Sequence, residues 1–145
     1  MIRKYIFHEE NISLFAPSSN EFLYNFIYQL GYKDEDANNW KARFIVLSVI
    51  KELFELKVLS VHTWCNDEKS NNENLSIDEI INRIDYLWKK NTKYPDYYDM
   101  LVFGTQKWYI DELWSLGMTH TTDWNSFVEQ KIGNLEKWIE VNKPK

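Results

Sequence analysis

The chain has 145 residues, about the size of one domain, and its 44% hydrophobic and 27% charged content excludes wholesale disorder. Seventeen basic against 22 acidic residues leave a formal charge of −5 with neither half basic, which argues against binding to nucleic-acid phosphates. No run of about 18 apolar residues occurs, so no membrane-spanning helix is expected, and the one cysteine, Cys65, excludes an intramolecular disulfide and fits a cytoplasmic protein.

Residues 1–17 alternate loosely, with Tyr5 and Phe7, then Ile12, Leu14 and Ala16, two apart. That spacing predicts two short strands or an extended arm closed by Pro17. Ser18 and Glu21 stand at capping-box spacing before a helical recurrence of Phe22, Leu23, Phe26, Ile27 and Leu30, with Gly31 as the stop. Lys33-Asp34-Glu35-Asp36 reads as a charged connector. From Asn38 to Leu56 the most apolar helix follows, with Lys41, Ser48, Glu52 and Glu55 falling within one narrow polar stripe. A helix apolar around most of its circumference must be covered on several sides, which makes it the centre of the fold. Lys57 to Trp64 is β-branched and aromatic and predicts a strand, and residues 66–74, without one apolar side chain, predict a solvated loop.

Ser76 and Glu79 form a second capping box, and Ile77, Ile80, Ile81, Ile84, Leu87 and Trp88 trace one helical face behind it. Glu79–Arg83 and Asp85–Lys89 have the spacing of i,i+4 pairs. Tyr94-Pro95-Asp96-Tyr97-Tyr98 reads as a turn, and residues 100–103 suit strand or helix equally. Thr105 is expected to cap a short helix through Trp108, Ile110, Leu113 and Trp114 that ends at Gly117. Thr122 then opens a long helix from Asp123 to about Val141, with Gly133 inside it at a cost of about 1 kcal/mol. The pattern predicts one mainly α (α+β) domain over residues 1–145, with four to six helices. A minor two- or three-stranded sheet would come from the N-terminal region and residues 57–64, and the central helix would pack on helices 19–30, 77–90 and 123–141.

Reactive groups are few. His62 and Cys65, with His8 and His120, lack the paired spacing of a metal site, so neither metal nor cofactor is expected. Cys65 as nucleophile with His62 or His120 as base has no supporting flank, and the four glycines lie too far apart to cradle phosphate. A non-enzymatic role is the first reading. A small enzyme with a Cys/His or carboxylate site is the alternative, as is a structural subunit using residues 94–114 for a homodimer contact.

Twenty-four residues are aromatic. Tyr94, Tyr97, Tyr98, Trp108, Tyr109 and Trp114 are hard to bury all at once, and tyrosine and tryptophan are enriched at binding hot spots. Nearby carboxylates give a candidate partner-binding set of Asp96, Tyr97, Tyr98, Asp99, Trp108, Asp111 and Glu112, suited to a basic protein.

The run Lys107-Trp108-Tyr109-Ile110-Asp111-Glu112-Leu113-Trp114, then Gly117, Thr121-Thr122-Asp123-Trp124 and Glu136-Lys137-Trp138-Ile139 resembles small bacterial immunity proteins. These accompany polymorphic toxins, including those of contact-dependent growth inhibition. The resemblance implies a cytoplasmic protein that binds and neutralises one cognate toxin domain, often a nuclease with a basic active site. It implies no catalytic residues.

Overall fold

A computed structural model describes residues 2–17 and 19–145. Ser18, and with it the first expected capping box, lies outside them. The protein is mainly helical with one small antiparallel sheet, as the sequence pattern predicts.

Asn39 starts the central helix, α3 (Trp40–Glu55), by accepting the N–H groups of Lys41 and Ala42 on its side-chain oxygen. Ala42, Val46, Val49, Ile50, Leu53 and Phe54 of α3 are buried. Around it pack α1 (Ile2–Ile6), α2 (Leu23–Gln29), α5 (Ile77–Leu87) and the strand β1 (Leu59–Trp64). Coverage is incomplete: Trp40 and Phe44, one turn apart, remain 71% and 64% exposed. At the C-terminus of α3, Lys57 takes the left-handed conformation with φ 62°, so that its own N–H bonds to the Phe54 carbonyl and the Val58 N–H to that of Leu53. The same pair of bonds closes α2 around Gly31, as its sequence indicates. At Lys57 a side chain bears the backbone strain that glycine would avoid.

The N-terminal segment is helical, not extended. After α1, a 3₁₀ helix spans Glu9–Phe15 and sinks Leu14 and Phe15 into the core. Its carbonyls are met by side chains from distant elements. Tyr109 Oη donates to Phe15 O at 2.7 Å, Trp124 Nε1 to Ile12 O at 2.8 Å and Asn20 Nδ2 to Leu14 O at 2.9 Å. Arg3 of α1 pairs with Glu52 of α3 and with Glu140 near the C-terminus. Helical turns satisfy most polar groups locally, and these donors take the rest, so no sheet partner is required.

The partner of β1 is therefore not the N-terminal segment but β2 (Leu101–Thr105). The register pairs Leu59 with Thr105, Val61 with Phe103 and Trp64 with Leu101, with His62 as the extra residue of a bulge. Residues 66–74 are also more ordered than their polarity implies. They contain α4 (Glu68–Asn71), with Asp67 as its cap and Ser70 buried. Asn71 locks onto the Trp64 backbone, accepting its N–H at 2.6 Å and donating to its carbonyl at 3.0 Å.

Helix α5 begins at the expected capping box, with Ser76 and Glu79 exchanging bonds of 3.2 and 3.0 Å. Its charges do not pair along the helix as expected. Arg83 lies within 4 Å of Asp67 and Glu73, and Asp85 joins Arg43 of α3 at 2.8 Å. Helix α6 (Lys107–Ser115) starts after Gln106, not at Thr105, which closes β2. The long C-terminal helix is broken. A single turn, α7 (Trp124–Phe127), opens into a π-turn (Val128–Ile132) that stops at Gly133, and Asn134 caps a new helix, α8 (Leu135–Asn142). Gly133 has φ 80° and ψ −98°, which no helix accommodates, so it serves as the break.

The left-handed Lys57 gives a direct check on the packing of β1 against α3. Lys57→Gly should raise stability by ~0.5–1 kcal/mol in urea unfolding, the relief of side-chain strain exceeding the added chain entropy. A loss of stability would show that the lysine side chain contributes more than its exposed bond to Pro144 O indicates.

Candidate functional site

The expected partner-binding set does not come together. Tyr97 and Tyr98 lie on a 3₁₀ turn, Tyr94–Asp99, before β2, whereas Trp108, Asp111 and Glu112 follow β2 on α6. The five-residue strand β2, about 13 Å from its first to its last residue at ~3.3 Å per step, lies between the two groups. On the α6 side, Trp108 is half-buried, donates to Lys57 O at 2.6 Å and stacks on Trp138. Asp111 pairs with Lys107, and Glu112 is exposed. Trp108 thus serves packing, and the α6 carboxylates are surface.

The 3₁₀ side forms an aromatic cluster. Phe22 and Tyr24, at the start of α2, approach Tyr98 with ring centroids at 4.7 and 5.8 Å, and Tyr94 meets Tyr24 at 4.8 Å. Tyr28 continues the row one turn along α2. Tyr28, Tyr94 and Tyr98 remain 41%, 40% and 43% exposed, so the cluster is a surface and not a core. The phenols are joined to one another: Tyr94 Oη lies 2.7 Å from Tyr98 Oη, which lies 3.4 Å from Tyr24 Oη.

Asp34 fixes the edge of this surface. One carboxylate oxygen accepts the Tyr28 hydroxyl at 2.6 Å and the other accepts the Tyr94 N–H at 3.1 Å, bridging two segments 60 residues apart. Asp96 is partly spent on the Lys93 N–H, and Asp99 is exposed beside the cluster. Lys33 and Lys93, exposed next to Asp34 and Tyr94 in the chain, are the local cations. Bonds with Tyr98 and Tyr94 push the Tyr24 phenol well above the ordinary tyrosine range, whereas the bond shared with Tyr98 lowers Tyr94. Burial first, then Asp34, raises Tyr28.

Tyr97 is fully buried beneath the cluster and cannot touch a partner itself. Its hydroxyl has no hydrogen-bond partner, and neither does the buried Trp88 indole N–H. Burial pushes the Tyr97 phenol up to about 12, and the nearby indole of Trp88 opposes that rise without reaching bonding geometry.

Sequence reasoning missed Phe22, Tyr24, Tyr28 and Asp34. The i,i+4 spacing of Tyr24 and Tyr28 beside the core positions Leu23, Phe26 and Ile27 is a usable signal for a second aromatic face. Nothing local distinguishes Asp34 within its acidic run.

The alternative reactive groups are dispersed. Cys65 donates its thiol to Tyr98 O at 3.5 Å, and burial, with Asp99 nearby, raises its pKa, the reverse of an activated thiolate. His8 accepts the Glu10 N–H as a helix cap, His120 lies against Trp114, and His62 is exposed on the sheet bulge. Among the described residues no group of three or more His, Cys, Asp or Glu is placed to hold a metal ion, and no helix is long and apolar enough to cross a membrane. The chain matches no protein-family model, no curated protein and no solved structure.

Tyr97 predicts a pH dependence. Below about pH 10 folded and unfolded chains both keep its proton, and its contribution to stability is complete. Between about 10 and about 12 the unfolded chain ionises first, so stability falls as pH rises. Tyr97→Phe should change stability at pH 7 by no more than ~0.5 kcal/mol, because no hydrogen bond is lost, and should flatten the alkaline fall. Urea unfolding at pH 7 and across pH 10–12 checks both; a loss of ~2 kcal/mol at pH 7 would mean that the hydroxyl is bonded.

Proposed function

We propose that this protein is a non-enzymatic binding protein that engages a basic protein partner through the Phe22/Tyr24/Tyr28/Tyr94/Tyr98 surface. The observation that carries the reading is the exposure of the Tyr28, Tyr94 and Tyr98 rings, packed on half-buried Phe22 and Tyr24, while the tyrosine hydroxyls and Asp34 hold them in place. Side chains ordered before contact lose little freedom on binding, which favours affinity. Tyrosine faces attract lysine and arginine, and Asp34, Asp96 and Asp99 extend that attraction at the margin. The raised thiol of Cys65 and its bond to a backbone carbonyl give the enzymatic alternative no support.

Together with the resemblance of residues 75–140 to bacterial immunity proteins, the acidic charge favours a cytoplasmic partner of one toxin domain, such as a nuclease with a cationic cleft. An acidic ligand is drawn quickly into such a cleft.

Co-expression with the C-terminal domain of a toxin encoded immediately upstream of this gene tests the reading. Wild type should restore growth and co-purify with the toxin domain. The Tyr94→Ala/Tyr98→Ala variant should weaken the complex by ~2 kcal/mol or more while keeping its far-ultraviolet circular dichroism. Failure of the wild type to bind or to rescue contradicts the immunity role, and full affinity in the folded double variant contradicts this surface.

A further inference from the structure

A second surface lies where the N-terminal segment meets the broken C-terminal helix. The π-turn Val128–Ile132 and the reversal at Gly133 leave an open groove of about 770 Å³ between themselves and the segment after α1. Its lining combines the apolar Phe7, Ile12, Val128 and Leu135 with the amides Asn125 and Asn134. Val128 and Leu135 are almost wholly buried, and Phe7 is stacked on the core residue Phe15 with ring centroids at 4.6 Å. The rim is acidic. Glu9 comes from the first turn of the 3₁₀ helix, and Glu129 and Glu136 stand on either side of the break.

None of these three carboxylates makes a hydrogen bond or ion pair among the described residues. No lysine or arginine lines the groove. Lys131 stands on the same π-turn without lining it. Arg3 and Lys4 border only the adjoining hollow, where Arg3 is held by Glu52 and Glu140 and feels Glu136 at longer range.

We propose that this groove receives a short peptide segment of a partner protein that carries aliphatic or aromatic anchors flanked by lysine or arginine. Phe7 and Ile12, only partly buried, provide apolar contact for one or two anchors, and the volume lies within the range of ligand clefts. The rim, acidic where it lines the groove, selects the flanking charge, and an acidic segment would meet three carboxylates of which only Glu136 feels Arg3. Backbone geometry favours a permanent groove: Gly133 cannot be drawn into a continuous helix without abandoning φ 80°, and Trp124 Nε1 holds the Ile12 carbonyl at the opposite wall. This surface is separate from the tyrosine cluster, and the inference stands whether or not that cluster binds.

The test is selection of a displayed random 12-residue peptide library on the intact protein, followed by measurement of synthetic copies of the winners. Selected peptides should combine lysine or arginine with leucine, isoleucine, phenylalanine or tryptophan, and should weaken as salt rises. Affinity should drop about tenfold in the Glu9→Gln/Glu129→Gln/Glu136→Gln variant and stay unchanged in Tyr94→Ala/Tyr98→Ala. Amide resonances of Phe7, Ile12, Val128 and Leu135 should shift on titration. Peptides that are acidic or salt-insensitive, that bind the glutamine variant equally well, or that map to the tyrosine cluster would overturn the proposal, as would selection of no binder at all. Glu9 and Glu129 are exposed and Glu136 is half-buried, none with a hydrogen bond to lose, so the variant keeps its fold; circular dichroism confirms it.

Discussion

Three donated hydrogen bonds decide the path of the N-terminal fifteen residues. Tyr109 Oη, Trp124 Nε1 and Asn20 Nδ2 meet the carbonyls of Phe15, Ile12 and Leu14, the first two across 94 and 112 positions of chain. Burial of Ile6, Leu14 and Phe15 supplies most of the driving force, but apolar contact is non-directional and would tolerate a rotated or shifted segment. Carbonyls buried against aromatic donors would not, because each donor or acceptor left unpaired costs about 1–3 kcal/mol. This clasp closes the two ends of the chain on each other, and Arg3 reinforces it by joining α1 to Glu52 and Glu140.

The clasp also explains where many of the aromatic residues go. Tyr109 and Trp124 combine a large apolar body with one polar handle, so each fills the core and fixes a distant backbone in the same contact. Trp108 does likewise for Lys57 O at the left-handed end of α3. Tyr94 and Tyr98 use their handles on each other, and Tyr28 of α2 uses its own on Asp34, and these three remain at the surface. For these residues the division between buried and surface aromatics follows the partner of the polar atom: a backbone carbonyl in one case, exposed hydroxyls and a carboxylate in the other.

Elements specified by neighbours in the chain were legible in the sequence. The Ser76–Glu79 box, the stop at Gly31 and the polar stripe of α3 each depend on residues within a few positions. Elements specified at a distance were not. The N-terminal alternation reads as strand until its donors from α6 and α7 are known, and β2 becomes a strand only because β1 lies beside it. Residues 66–74 are uniformly polar, yet Asn71 and Asp67 use that polarity to hold Trp64 and cap α4. Gly133 is tolerable inside a helix by propensity, and only its positive φ marks the break. At the candidate site, Tyr98 and Asp99 could be singled out from composition, but Tyr24 and Asp34 join the 3₁₀ turn through contacts spanning 60 or more residues, and Tyr28 follows through them.

Native-state hydrogen exchange on the Tyr109→Phe/Trp124→Phe variant probes the clasp most directly. Both substitutions keep an aromatic ring and remove a donor, which should release about 2–3 kcal/mol locally. Amides of the Glu9–Phe15 helix should then exchange at least about thirtyfold faster than in wild type, with a smaller change in α3 and α5. Unchanged protection in Glu9–Phe15 would show that apolar burial alone places the segment, and the clasp would lose its central role.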